Sequence, residues 1–179
     1  MTPLAPTLTT DRLTLRPHVM DDFAPLYDLF ASDRAKYMGG PVATQEMWYW
    51  IASEVGSWSL QGFGSWGVER NSDGAFMGQV GINKPHHFPE VELGWVLLAP
   101  FEGQGYAFEA ASTARNWYWT NTDADTLVSY ITPGNARSIA LAQKLGATLD
   151  ANAALPTGED RDETIVFRHA KNHIERMGA

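Results

Sequence analysis

Leu13-Thr14-Leu15 alternates apolar and polar positions and stops before Pro17, which predicts a short strand with one buried face. Phe23, Leu26, Tyr27, Leu29 and Phe30 then recur at helical spacing behind Asp21 and Asp22, either of which can cap a helix. Gly39-Gly40-Pro41 ends that region. Thr44, with Glu46 after it, opens a second helix carrying Met47, Trp48, Ile51, Val55 and Trp58. The period next drops to two. Residues 62–69 and 76–82 read as strands around Asn71-Ser72-Asp73-Gly74, a turn signal that predicts a hairpin. A loop at 85–89 leads to an apolar strand at 91–98, broken at Pro100. Gly103-Gln104-Gly105 makes a tight turn, and residues 106–119 form a helix. Residues 126–132 predict a strand ended by Pro133-Gly134. Asn135 caps a helix through Ile139, Leu141, Ala142 and Leu145 that stops at Gly146. Residues 147–149 and 163–169 close the set as strands.

The order is strand, two helices, three strands, helix, strand, helix, two strands. That mixture implies an α+β, mixed α/β architecture: one sheet with helices on its faces. The strands flanking the glycine-turn helix are candidates for a parallel pair joined by a right-handed crossover. No repeat or low-complexity linker divides the chain, so residues 1–179 are expected to form one domain, with a core over about 8–170 and a short tail at 171–179.

Composition narrows the function classes. The chain has 179 residues, 44% hydrophobic and 19% charged, which suits a globular core. It has no cysteine, which removes disulfides, a thiolate nucleophile and cysteine metal sites and fits a cytoplasmic location. No apolar run approaches the ~20 residues of a membrane helix, and the N-terminus lacks the pattern of a secretion signal. The net charge of −8 argues against nucleic acid as the main partner and favours a cationic one. His86, His87 and Glu90 share a loop, but adjacent histidines rarely converge on one ion, so no metal is expected.

The chemistry concentrates where the apolar strand meets the glycine turn. A helix N-terminus presents unpaired amides and the positive end of the helix dipole, and glycines let a phosphate approach. The turn lacks the Gly-Lys-Ser/Thr of a P-loop and the third glycine of a dinucleotide fingerprint. No basic residue lies between Glu92 and Ser112, so an anion here is expected to rest on backbone amides and the helix dipole, while Arg137 downstream either reaches a phosphate or sits on a solvated helix face. Downstream, Ser138 sits one turn beyond Asn135 on the same helix face.

Together, Glu102-Gly103-Gln104-Gly105-Tyr106-Ala107 and the Asn135-x-x-Ser138…Lys144-Leu145-Gly146 block resemble the Gcn5-related N-acetyltransferases (GNAT). The second block, and the opening Thr10-Asp11-Arg12-Leu13-Thr14-Leu15-Arg16-Pro17, are similar to the branch that acetylates ribosomal-protein N-termini, the RimJ/RimL-like branch. The resemblance implies a mostly antiparallel twisted sheet with a splayed parallel pair and helices on both faces. It also implies direct transfer of an acetyl group from acetyl-CoA to a primary amine, either a protein N-terminus or a small amine. A non-catalytic acyl-CoA-binding module on the same fold is the alternative. Two departures stand out: Glu102 occupies a position usually Gln or Arg, and Leu141-Ala142 replace the tyrosine that many relatives place there.

On this basis coenzyme A is expected to contact Trp95, Val96, Leu97, Leu98, Gly103, Gln104, Gly105, Tyr106, Ala107, Asn135 and Ser138. Strand amides of residues 95–98 would pair with pantetheine like an added strand, and one would polarise the thioester carbonyl. The attacking amine must be neutral; an α-amino group near ~7.7–8.0 needs only a modest base, a lysine near ~10.4 more. Glu92 is the candidate base, Ser138 the candidate acid to the thiolate, and Asn135 orients pantetheine. Trp48 and Tyr49 are the candidate acceptor-site residues. The aromatic content would also suit a homodimer.

Overall fold

The computed structural model describes residues 5–171, so most of the expected tail, 172–179, lies outside the described residues, as do residues 1–4. In chain order the elements are β1 (Leu8–Thr9), β2 (Leu13–Arg16), α1 (Phe23–Phe30), α2 (Thr44–Gln61), β3 (Ser65–Arg70), β4 (Phe76–Asn83), β5 (Glu92–Leu97), α3 (Tyr106–Asn121), β6 (Thr126–Ile131), α4 (Ala136–Lys144), β7 (Thr148–Leu149) and β8 (Ile165–Ala170). They build one sheet in the order β1-β2-β3-β4-β5-β6-β8-β7. Every neighbouring pair is antiparallel except β5 and β6. This is the mixed sheet with one parallel pair that the element order implied.

Two local expectations are corrected. The third strand starts at Ser65 rather than residue 62, because Gly62 (φ 79) closes α2 by donating to the Trp58 carbonyl. Asp22 does not cap α1 with its side chain. Its buried carboxylate instead takes two bonds from Arg16, at 2.8 and 2.9 Å, and one from the Val19 amide. Burial opposes ionisation there, but the Arg16 and His18 bonds prevail and hold the carboxyl at about 2. The two-residue β1 was not anticipated.

Side-chain alternation sets the two faces of the sheet. On one, Leu13, Leu15, Trp66, Val68, Val80, Ile82 and Leu93 pack with Ala110, Ala111 and Ala114 of α3. The small alanines let the helix lie close to the strands. Burying a side chain the size of Leu93 contributes roughly 1.5–3 kcal/mol. Trp58, Trp66 and Trp117 meet edge to face within 4.7–5.3 Å, so three of the seven tryptophans form core rather than a substrate groove. On the opposite face Val96 joins Leu26, Leu29, Phe30, Met47 and Ile51 of α1 and α2. No helix among the described residues is long and apolar enough to cross a membrane.

Candidate active site

β5 and β6 share one register pair, Glu92 with Val128, supported by the Val128 amide on the Val91 carbonyl at 3.0 Å. One step further along, the Ser129 hydroxyl donates to the Leu93 carbonyl at 2.7 Å. Beyond that clasp the ladder ends. A cavity of about 940 Å³ adjoins the strands there. Of the residues expected to hold coenzyme A, it is lined by Trp95, Val96, Leu97, Gly103, Gly105, Tyr106, Ala107, Asn135 and Ser138.

Two expected residues do not line it. The Leu98 amide is bonded to the Met77 carbonyl at 2.8 Å. In an antiparallel ladder the backbone groups alternate sides, so Leu98 and Val96 turn theirs to β4, while Trp95 and Leu97 face the gap. The strand edge left for a ligand is therefore narrower than residues 95–98. The Gln104 side chain folds back onto the Pro100 carbonyl at 2.9 Å.

The glycine turn has the geometry an anion needs. Gly103 and Gly105 adopt φ 73 and φ 81, where a Cβ is strained. Gly105 is the N-cap of α3, and no side chain caps that end, so the first-turn amides of a 16-residue helix remain available to an anion. The opening motif braces this turn. Thr10 donates to Glu109 at 2.5 Å, Arg12 Nε to the same carboxylate at 2.7 Å, and Arg12 Nη1 to the Gln104 carbonyl at 3.1 Å. Burial pushes the Glu109 carboxyl up, but the Thr10 and Arg12 bonds hold it below its ordinary value.

Positive charge does reach the site, from distant sequence. Arg34, Lys36, Arg137 and Lys144 all line the cavity. Glu102 is held on one side by Arg34 and on the other by Arg137, each at 2.5 Å. Backbone amides and the helix dipole are thus joined by side-chain charge: Arg137, left open as a phosphate contact, lines the cavity, and the other cations stand on the α1–α2 connection and on α4. The acidic side chain at the mouth of the turn is paired rather than bare.

At the second motif Asn135 Oδ1 accepts the Ser138 amide at 3.2 Å, an N-cap on α4. The Ser138 side chain is not needed for that cap. Ala142 is fully buried and Leu141 lines the cavity, so no hydroxyl occupies the helix position where many relatives carry tyrosine. Tyr37 reaches the cavity instead, with its hydroxyl 3.4 Å from where a Cβ on Gly134 would stand.

Glu92 stands at the fork itself. Its carboxylate leans along the strand over Gly94, 3.6 Å from the position of a Cβ there. The residue keeps partial solvent access, yet burial, with the nearby charge of Glu54, pushes the carboxyl up to about 8; the Tyr130 amide acts the other way. Glu54 is a functional candidate the sequence reading missed. It lies on the inward stripe of α2 with Met47, Ile51 and Trp58, and an acidic residue on that stripe was the available signal. Trp48 and Tyr49 lie outside that stripe, 47% and 61% exposed, and the structure does not bring them to the cavity. Glu90 pairs with Arg168 rather than with His86 or His87.

Known proteins share this fold. The model of the acetyltransferase (GNAT) domain matches residues 12–148. The crystal structure of an acetyltransferase from Agrobacterium tumefaciens str. C58 superposes with a TM-score of 0.87 at 40% identity, covering 93% of this chain and 95% of that one. The ribosomal L7/L12 alpha-N-protein acetyltransferase RimL, solved in complex with coenzyme A, has the same fold: TM-score 0.73, 16% identity, 93% and 98% covered. An uncharacterized protein of Bacillus subtilis (strain 168), YkkB, is 29% identical over 143 residues, 78% of this chain and 83% of YkkB. With a splayed strand pair, a glycine turn on a bare helix end and a family model spanning most of its length, the chain belongs to the GNAT acetyltransferases.

Proposed function

We infer that the protein moves the acetyl group of acetyl-coenzyme A to a primary amine, by direct attack within a ternary complex. The observation that carries this reading is the fork between β5 and β6. It leaves strand groups of Trp95 and Leu97 facing a cavity whose far wall is the glycine turn. Pantetheine amides fit the strand edge as an added half-strand, and the pyrophosphate fits the bare N-terminus of α3. The coenzyme A bound by the fold relative RimL supports the same ligand here.

The chemistry asks for little beyond positioning. Glu92 accepts the proton of the incoming ammonium, directly or through water, and its raised pKa suits that task. The neutral amine attacks the thioester carbonyl, and a strand N–H stabilises the oxyanion. As the intermediate collapses, Ser138 gives a proton to the departing thiolate and regains one from the acceptor nitrogen, with Asn135 holding the helix end that presents it. The reaction suits the cytoplasm and acceptors of either kind, a protein N-terminus or a small amine.

Thiol release from acetyl-coenzyme A across an amine panel, with mass spectrometry of the products, tests this. Amine-dependent release is expected. Tight coenzyme A binding with no release against any amine would instead identify a binding module on the same fold.

A further inference from the structure

The sheet face turned toward α1 and α2 carries a row of small residues. Ser65, Gly81 and Gly94 are register partners across β3, β4 and β5. Polar groups lean over the row from several sides. A Cβ on Gly81 would collide with the Ser65 hydroxyl and lie 2.9 Å from Asn83 Nδ2, and one on Gly94 would lie 3.6 Å from Glu92 Oε2. From α2, buried Glu54 accepts a short hydrogen bond from Ser65.

Two further groups converge there with nothing to bond. His18 follows β2, its side chain 2% exposed, with Nδ1 fixed 2.9 Å from Asp22. Its Nε2 is buried without a partner, and its ring is near enough to Glu54 for charge on it to act on that carboxyl. Gln79 shares the face, is 5% exposed, and its Oε1 is buried without a partner. Asp22 accepts the proton of His18 Nδ1. Two carboxylates and the unpartnered amide oxygen of Gln79 thus gather along the row, beside the Asn83 amide. Among the described residues, no ion pair joins Glu54 or Glu92 to a lysine or arginine. Both carboxyls are raised, burial first, with the Ser65 bond and the charge of His18 acting the other way on Glu54.

What such a lining lacks is a compact cation with several N–H donors. Glu92, Gly94 and Asn83 keep solvent access, whereas Glu54, Ser65 and Gln79 are buried, so the row has an open end at the fork and a closed one under α2. We propose that this row is the acceptor subsite, and that the acceptor is a short aliphatic diamine, one nitrogen at Glu92 and the second, still cationic, held by Glu54 and Gln79. Gly81 and Gly94 directly face each other, with Cβ positions about 5 Å apart, so the two carboxylates lie within about 13 Å of each other. That suits a chain of a few methylenes. The proposal rests on the acetyl transfer inferred above and deepens it.

The test compares 1,3-diaminopropane and 1,4-diaminobutane with propylamine, butylamine and a serine-initiated peptide, in thiol release and in calorimetry on protein saturated with coenzyme A. The diamines are expected to exceed the monoamines in kcat/KM by about 10- to 100-fold, the worth of one charge-assisted buried contact. Glu54→Gln should collapse that ratio toward one. Gln79→Leu is the second variant, should Glu54→Gln fail to fold, and should lower the ratio in the same direction. Equal use of diamines and monoamines, a preference for the peptide, or a ratio unchanged in both variants would overturn the proposal. If no amine is acetylated, the transfer reading fails. Diamine binding that is lost in Glu54→Gln would then still support the subsite, and no diamine binding would refute it.

Discussion

Glu102 Oε1 lies 2.5 Å from Arg34 Nη2, and the second oxygen of the same carboxylate lies 2.5 Å from Arg137 Nη1. One acidic side chain thus holds two cations, both lining the cavity, beside the glycine turn. Pairs this exposed contribute little to stability, about 0–1 kcal/mol. Their consequence is electrostatic. Glu102 engages both arginines, and a pyrophosphate in the cavity would compete with it for the same guanidiniums.

Glu102→Gln is therefore expected to tighten acetyl-coenzyme A binding several-fold, by removing a negative charge and releasing Arg34 and Arg137 to the phosphates. The gain should shrink as salt rises, since these groups are solvent-screened. Calorimetry at low and high ionic strength checks both parts. Weaker binding in the variant would mean that the carboxylate instead positions the arginines.

Glu92 links activity and stability through one proton. Its native carboxyl is pushed up to about 8, whereas an unfolded glutamate titrates near ~4.3. Between those values the native state holds a proton that the unfolded state has lost, so this group's contribution to stability falls as pH rises through the window. Glu92→Gln should remove that loss, leaving the variant more stable relative to the parent at pH 9 than at pH 5 in thermal unfolding. Turnover should fall by about 10²–10⁴-fold. The rising alkaline limb of the parent's pH–rate profile should vanish with it. A limb that persists in the variant belongs to the amine.

The parts of the site legible in the sequence are those that a few neighbouring residues determine. Gly103-Gln104-Gly105 ahead of Tyr106 specifies a turn on a helix end, and Asn135 specifies a cap three residues before Ser138. The parts that were not legible are long-range. Arg34 and Arg137 reach Glu102 from 68 and 35 positions away. Glu54 gains meaning only when β3, β4 and β5 stack Ser65, Gly81 and Gly94 beneath it. Trp48 and Tyr49 show a different obstacle: Met47 and Ile51 take the inward positions of α2, and one step around the helix turns an aromatic pair toward solvent. The strand amides divide by ladder phase, which depends on where β4 pairs, not on the composition of β5.

Ser138 offers a clean substitution, because Asn135 caps α4 through the Ser138 backbone amide rather than its hydroxyl. Ser138→Ala should leave stability within about 0.5 kcal/mol, as for a substitution away from core and cap. Turnover at saturating acetyl-coenzyme A should drop by about 10²-fold if the hydroxyl protonates the thiolate. Asn135→Ala, by contrast, should cost about 1 kcal/mol of stability through the lost cap. If Ser138→Ala turns over normally, Ser138 is not the acid, and the role passes to a tyrosine lining the same cavity, Tyr37 or Tyr106.

The last clasp before the fork opens is the Ser129–Leu93 bond, and His169 completes it from β8, with Nε2 3.0 Å from the serine oxygen. Ser129 gives its single proton to the Leu93 carbonyl, so Nε2–H of His169 is the donor and the ring is neutral. Burial, followed by the charge of Arg115, pushes that histidine down to about 4. An unfolded histidine titrates near ~6.5, so the stability this group provides is present above that pH and is lost as pH falls from ~6.5 towards 4. Ser129→Ala leaves a buried N–H without its acceptor and should cost about 1–3 kcal/mol. It should also raise the KM for acetyl-coenzyme A, because the Ser129 hydroxyl then no longer fixes the point at which β5 leaves β6. A variant that loses stability while keeping its KM would show that the Glu92–Val128 pair alone sets the fork.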